Sequence, residues 1–246
     1  MTSYHEYGYD FHIHSALSPC AQEEMTPNNI VNMARLNGLE LIAVTDHNSA
    51  KNLPAIAECA QRSGILLIPG LEVESAEEVH VSCLFPDVDK ALKMGELVAQ
   101  HLPPLKNKEK IFGTQYIFDS RDHIVGKEEQ LLLFSTALTV ETIFQAAREL
   151  GGEAYFSHVD RDSYSVLSVL GGFPDTIDAE VAEISDTARG RRFREENADL
   201  KEKRILFSSD SHRLADISRG NNKIKLHLKG REPAADDVIN WIRKKT

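Results

Sequence analysis

The chain has 246 residues and 41% hydrophobic content, enough for one large α/β domain or two small ones. No Pro/Ser-rich linker, low-complexity tract or fixed-period repeat divides it, so a single domain over 1–246 is expected. A net charge of -10 and a pI near 5.5 argue against a general binder of nucleic acid or acidic membrane, although cations held at a site leave room for an anionic substrate.

Cys20, Cys59 and Cys83 are few, odd in number and without a CxxC pair, which offers no disulfide framework and fits a reducing, cytoplasmic setting. No apolar run approaches the ~20 residues of a membrane span. The leading residues Met1-Thr2-Ser3-Tyr4-His5-Glu6 lack the basic and apolar segments of a signal peptide, so no membrane partner is expected.

The first strand is predicted over Tyr7 to Ser15, followed by a loop holding Ser18-Pro19-Cys20. Thr26-Pro27 starts a helix, with a capping hydroxyl and a proline at the first helical position, and Gly38 ends it. Leu39 to Val44 is a continuous apolar run suited to a parallel strand covered on both faces, and it stops at Thr45-Asp46-His47. A helix from Leu53 to Ser63 precedes the strand Ile65 to Ile68, which runs out at Gly70-Leu71-Glu72. Val79 to Phe85 reads as a strand carrying His80, and Asp87 to His101 as a helix.

Pro103 to Phe134 breaks the rhythm and reads as an insertion, with a hairpin at the mouth of the site as one form it can take. Beyond it come an amphipathic helix Val140 to Leu150 and a strand Ala154 to Phe156 ending at Ser157-His158. A strand Ala179 to Ile184, a charged helix Arg189 to Lys203 and a strand Ile205 to Phe207 ending at Ser209-Asp210-Ser211-His212 follow. Lys223 to Leu228 and Asp236 to Lys244 supply the last strand and helix. Strand and helix alternate about seven times, and polar groups gather where at least six strands end. That distribution favours a barrel over an open sheet with one crevice.

Alternation along a strand turns His12 and His14 to one face, and Asp210 and His212 repeat the pattern near the other end of the sequence. Imidazole nitrogens and carboxylate oxygens suit zinc, manganese or iron. The candidates His12, His14, His47, Glu72, His80, His158, Asp210 and His212 exceed what one tetrahedral ion needs and suffice for two or three. Glu72 is placed to bridge cations. Clustered cations lower the pKa of bound water and clamp phosphoryl oxygens, so a metal-activated hydroxide attacking a phosphate ester in line is the reaction such a site best performs. Arg161 and Arg213 offer planar forks for a phosphate, with salt bridges to Asp162 or Asp216 as the competing reading. Asp10 and Asp46 precede histidines and are expected to orient imidazoles. His80 inside Val79-His80-Val81 also fits a core histidine, and Ser18-Pro19 reads as a turn. Arg189, Arg191, Arg192 and Arg194 are followed by Glu195 and Glu196 and read as a solvated helix face.

In Asp10-Phe11-His12-Ile13-His14, Thr45-Asp46-His47, Gly70-Leu71-Glu72, His158 and Asp210-Ser211-His212 the chain resembles the PHP family, the polymerase-and-histidinol-phosphatase metal phosphoesterases. The resemblance implies a distorted (β/α)7 TIM-like barrel and a site of two or three metals. His12, His14, His47, Glu72, His158, Asp210 and His212 would be ligands, with His80 added. Trinuclear members carry a histidine six residues after the second histidine of the first motif. Cys20 stands there in this chain, where a thiolate binds zinc and a thiol simply packs.

The expectation is therefore a metal-dependent phosphoesterase acting on a small phosphorylated metabolite or nucleotide, with Glu72, Arg161, Asp46 and Asp10 serving the chemistry and no stable nucleic-acid partner. Two rivals stand beside it. A metal-dependent amidohydrolase would want a bridging lysine mid-barrel, and a non-catalytic metal or phospho-ligand module would bind without turnover. Specificity is expected in the mouth loops, including 103–134.

Overall fold

The apolar runs become strands buried on both faces, and the segments of helical period are laid over them. The computed structural model describes residues 4–228 and 230–244, so the first three residues read for a leader lie outside it. Its first half holds β1 (Tyr4–Ile13), α1 (Pro27–Leu36), β2 (Leu41–Val44), α2 (Leu53–Ser63), β3 (Leu66–Leu67), β4 (Gly70–Glu74), β5 (His80–Leu84), α3 (Val88–His101), α4 (Glu109–Phe112), β6 (Tyr116–Phe118) and β7 (Ile124–Lys127). The second half holds α5 (Val140–Glu149), β8 (Glu153–Phe156), α6 (Val166–Leu170), β9 (Val181–Ser185), α7 (Ala188–Glu196), β10 (Arg204–Ser208), β11 (Lys223–His227) and α8 (Ala235–Arg243). No helix among the described residues is long and apolar enough to cross a membrane.

Local signals set most boundaries. The Thr26 side chain accepts from the Asn29 amide with Pro27 at the first helical position, and the Asp87 and Thr139 side chains cap α3 and α5 in the same way. Gly64 ends α2 in the left-handed region at φ 69°.

The strands form a four-stranded sheet in the order β11-β1-β2-β3 and a five-stranded sheet in the order β10-β9-β8-β5-β4, with β6 and β7 paired as a separate hairpin. The sheets meet at two seams. Ile13 bridges Ser211 beyond β10, and His47 beyond β2 bridges Glu72 of β4. The amides of Glu72 and Asn48 close the second seam on the carbonyls of Asp46 and Glu72, at 3.1 and 2.7 Å. Both seams therefore fall where the polar motifs end the apolar runs.

Both sheets share one inner cluster. Tyr9 and Phe11 of β1, Leu41 and Ala43 of β2, Leu84 of β5, Tyr155 of β8, Val181 of β9 and Leu206 of β10 pack together, with Val238 and Ile242 of α8 packed into the same cluster. A larger core lies between the strands and helices α1, α2, α3 and α5.

Two expectations change. β5 runs antiparallel to β4 and β8 instead of continuing a parallel series. The Ser75–Val79 turn, with Glu78 at φ 65°, is a hairpin connection too short for a crossover, so the chain must reverse. The charged helix predicted over Arg189 to Lys203 stops at Glu196, where Asn197 takes an extended conformation before a single 3-10 turn at Ala198–Leu200.

The 103–134 segment does contain a hairpin, which leans on α1 and α2, while Leu133 beyond it lines the cavity beside His47 and His80. Asp122 accepts from Thr26 Oγ1 at 2.8 Å and from the Asn28 amide at 3.0 Å, and the Phe118 amide donates to Asn52 Oδ1 at 3.0 Å.

Candidate metal centre

The two seams bring the ends of β1, β2, β4, β8 and β10 to one place, and β5 adds its first residue. At the centre lies Glu72, 1% exposed, with five imidazoles around its carboxylate. His12 Nε2, His158 Nε2 and His80 Nδ1 lie 3.3, 3.3 and 3.2 Å from Oε1, while His47 Nδ1 and His14 Nε2 lie 3.1 and 3.5 Å from Oε2. Asp210 Oδ1 completes the cluster, 2.9 Å from His14 Nε2 and 3.3 Å from His12 Nε2. His12 and His14 converge as strand alternation requires, their Nε2 atoms 3.1 Å apart.

These contacts do not amount to a satisfied hydrogen-bond network. Both oxygens of Glu72 and Oδ1 of Asp210 are buried without a hydrogen-bond partner of good geometry. A group of nitrogens and oxygens aimed at each other across such short gaps, with the acceptors left over, is what a set of metal ligands looks like. Three overlapping triads have ligand atoms within 4.8 Å of one another: His12, His14 and Asp210; His47, Glu72 and His80; and His14, His47 and His212. The residues fit divalent cations, which offset the charge of buried carboxylates that Arg161 alone cannot balance.

The electrostatics divide the cluster: Glu183 and Glu72 overcome burial and hold His12 well above the usual histidine range, and Cys20 and Glu72 do the same for His47. Burial pushes the Glu72 carboxyl up, but the His80 and His12 imidazoles overcome it and hold the group well below the usual carboxylate range. Burial, helped by His212 and His47, pushes His14 well below the usual histidine range, so the neutral form that ligates metals is favoured.

Cys20 belongs to this group. Although the residue is exposed, its thiol contacts the imidazoles of His212 and His47, which overcome the upward push of burial and bring it down to about 6. It lines a cavity of about 260 Å³ together with His47, His80, His158, Asp210 and His212.

The remaining candidates divide. Arg161 stands in the same cavity, its side chain 44% exposed, and pairs with Asp210 Oδ2 at 2.7 Å, while Asp162 pairs with Arg189 instead. Arg213 is exposed and is not among the residues lining the cavity. Asp46 reaches the imidazoles through Ser18, whose Oγ donates to Asp46 Oδ1 at 2.6 Å and lies 3.1 Å from His14 Nδ1. Asp10 holds backbone rather than an imidazole. It accepts from the amides of His12, Ser209 and Ser218 and from Ser209 Oγ, which ties the Asp210–His212 loop to β1. The Arg191 guanidinium of the charged helix pairs with Asp186 and lies over Phe207.

Four contributors escaped sequence reasoning. Glu183 of β9 accepts at Oε1 from the His158 amide at 3.1 Å and lies 2.8 Å from His12 Nδ1. The signal was present as a lone acid inside the apolar run Val181–Ile184. Ser18, in a Ser-Pro pair, carries only a turn signal in the sequence. Glu74 sits opposite His80 in the β4–β5 ladder, with 3.8 Å between Oε2 and Nε2. Tyr164 stacks on the His80 ring, centroids 4.7 Å apart.

The sequence model of the PHP domain family matches residues 10–136. The phosphoribosyl 1,2-cyclic phosphate 1,2-diphosphodiesterase of Eggerthella lenta is 26% identical over 189 residues, covering 73% of this chain and 68% of that protein. The 5'-3' exoribonuclease Rnm of Salmonella typhimurium is 35% identical over 74 residues, 29% of this chain and 24% of that protein. Among solved structures, the lesion-specific endonuclease EndoQ of Pyrococcus furiosus superposes with a TM-score of 0.67 at 19% identity, over 97% of this chain and 56% of that one. The chain thus spans about a quarter of the exoribonuclease and little more than half of the endonuclease.

Proposed function

The chain belongs to the PHP domain family, and from that premise we propose that it is a metal-dependent phosphoesterase cleaving a phosphate ester of a small metabolite or nucleotide. The observation behind the proposal is Glu72, buried among five imidazoles with both oxygens unpartnered. His12, His14, His47, Glu72, His80, His158, Asp210 and His212 would hold two cations, and a third would need Cys20 as a further donor beside His47 and His212. Zinc, manganese or iron(II) suits this donor set, and when bound the cations supply charge for phosphoryl oxygens and acidify water.

The chain's own groups do the rest. Glu183 fixes the His12 ring through Nδ1, so that Nε2 faces the cluster. Arg161 is exposed enough to turn from Asp210 to a phosphate and presents a planar fork to its oxygens. The cavity of about 260 Å³ suits a phosphoryl group and one small substituent better than a duplex, and the net charge of -10 disfavours a long phosphate track. Because an exoribonuclease and an endonuclease stand among the similar proteins, a terminal nucleotide is the second substrate reading, and the expectation of no nucleic-acid partner narrows to no extended one. No lysine is among the residues lining the cavity, which disfavours an amidohydrolase bridged by a modified lysine. The two bridged seams and the shared inner cluster support reading the sheets as halves of a distorted (β/α)7 barrel forming one domain.

The test is phosphate release by protein loaded with manganese or zinc from p-nitrophenyl phosphate, sugar phosphates and nucleotides. Turnover that disappears in His12→Ala supports the proposal, and metal-replete protein that turns over none of them defeats it.

A further inference from the structure

Tyr164 is the aromatic group that the metal cluster leaves unexplained. One face of its ring stacks on His80 at 19° between planes, and its carbonyl accepts from the His80 amide at 2.9 Å. Yet 45% of the residue remains exposed, while His80 beneath it is buried. The ring therefore has a covered face toward the cluster and an open side toward solvent, in the wall of the same cavity. Its backbone sits at φ 57°, a left-handed conformation that is unfavourable for a bulky non-glycine residue and persists where the surroundings impose it.

The loop carrying Tyr164 also carries Arg161. That loop is tied down at both ends: the Arg161 amide donates to the His158 carbonyl at 3.0 Å, and Ser165 Oγ donates to the Arg161 carbonyl at 2.8 Å. A guanidinium suited to a phosphate and an aromatic face suited to a flat ring are thus held three residues apart on one anchored turn. A structural role for Tyr164, shielding His80, needs only the covered face. It gives no reason to leave an aromatic surface open in the cavity wall.

From this juxtaposition we infer that Tyr164 is a specificity-determining platform on which the base of a nucleoside phosphate stacks while Arg161 engages the phosphate. The inference rests on the phosphoesterase reading and names its substrate class. Base–aromatic stacking needs a π-face and tolerates any base, so the platform selects nucleosides over plain sugars without selecting among bases.

The experiment is calorimetric titration of the metal-loaded protein with AMP, ribose 5-phosphate and adenosine, in wild type, Tyr164→Phe and Tyr164→Leu. The leucine keeps an apolar cover over His80 and removes the π-face. Wild type and Tyr164→Phe should bind AMP at least about tenfold tighter than ribose 5-phosphate, within the range of one base–aromatic stack, and that ratio should collapse toward one in Tyr164→Leu. Equal affinities for the two phosphates in wild type, or a ratio that survives in Tyr164→Leu, would overturn the platform and leave the phosphoesterase reading intact. Adenosine binding that Tyr164→Leu abolishes, in a protein that releases no phosphate from any substrate, would retain the platform and overturn the phosphoesterase reading. Binding of none of the three probes overturns the platform, and the phosphoesterase reading is then decided by the phosphate-release panel.

Discussion

His12 Nδ1 lies 2.8 Å from Oε1 of Glu183, a carboxylate 171 residues further along the chain, and both side chains are buried. With Nδ1–H donating, Nε2 keeps its lone pair toward Glu72 and Asp210. Glu183→Gln retains an acceptor of the same shape but removes the charge that makes the ring a stronger ligand. Metal affinity should fall about 10- to 100-fold, the usual loss when such an orienting partner is changed. Competition against a chromophoric chelator measures it, with circular dichroism checking the fold. Unchanged affinity would mean that Glu183 serves packing alone.

Removing metal should cost stability as well as activity. A ligand at 100 times its Kd adds about 2.7 kcal/mol to a fold that binds it only when native, which for a chain of this size is a rise in Tm of about 5–10 °C. Thermal melts before and after chelation, with metal content measured on the same samples, test this. A melt that ignores chelation while metal content falls to nothing would show that the cluster is already satisfied without cations.

Cys20 is the one exposed thiol of the three cysteines, and it touches His47 and His212. Burial raises the Cys83 thiol, and Cys59 is also buried and raised. In metal-free protein, alkylation by iodoacetamide should therefore concentrate on Cys20, and zinc loading should slow it by about tenfold or more, because a ligated thiolate is not free to attack. Peptide mapping reads the site and the rate. Labelling of Cys20 at the same rate with and without zinc would remove it from the ligand set.

Why some of this site was legible and some was not follows from where each residue lies. His12, His14, His47, Glu72, His158, Asp210 and His212 interrupt or close apolar runs, so the ends of the strands could be read as one polar rim. Glu183 lies inside β9 and Glu74 ends β4, and their relevance depends on what each strand faces. β9 pairs with β8 and β10, so Glu183 meets His12 of β1 only where the two sheets face each other, and only the reversal at Ser75–Val79 sets Glu74 opposite His80. Asp10 stands out in the sequence for its neighbour His12, yet its partners Ser209 and Ser218 come from some 200 residues away. Tertiary contacts of that separation leave no periodic signal in the chain.

The closing helix offers a pH test away from the cluster. Asp237 accepts from Arg231 at 2.6 Å and from the Ala234 amide at 2.9 Å, which fixes the start of α8 over the inner cluster. The Arg231 hydrogen bond holds the Asp237 carboxyl below the usual range. A group whose folded pKa is depressed contributes stability above its unfolded value, near 3.9, and loses it as pH falls through the folded value. Asp237→Asn should therefore melt about 2 °C lower than wild type at pH 7, with the gap closing as pH falls through the depressed folded value. A gap that stays constant down to pH 2 would rule out the charge as its source.

Gly70 opens the strand that carries Glu72, and it has no room for a side chain. A Cβ there would come within 2.6 Å of Leu84 Cδ2, 2.7 Å of the Cys83 carbonyl oxygen and 3.1 Å of Thr45 Cγ2. The Leu84 methyl can rotate away, but the Cys83 carbonyl belongs to the β4–β5 ladder and moves only with the strand. Gly70→Ala should destabilise by about 1–3 kcal/mol, as overpacking of a tight core does. It should also weaken metal retention, because the displaced strand takes Glu72 with it. Gly126→Ala is the control, since the nearest atom to its added Cβ is Ile117 Cδ1 at 3.8 Å, ordinary contact. Denaturant melts and bound-metal stoichiometry on both variants decide the matter. If Gly70→Ala unfolds with wild type and holds its metal, Glu72 owes its position to the cations it binds and not to the strand beneath it.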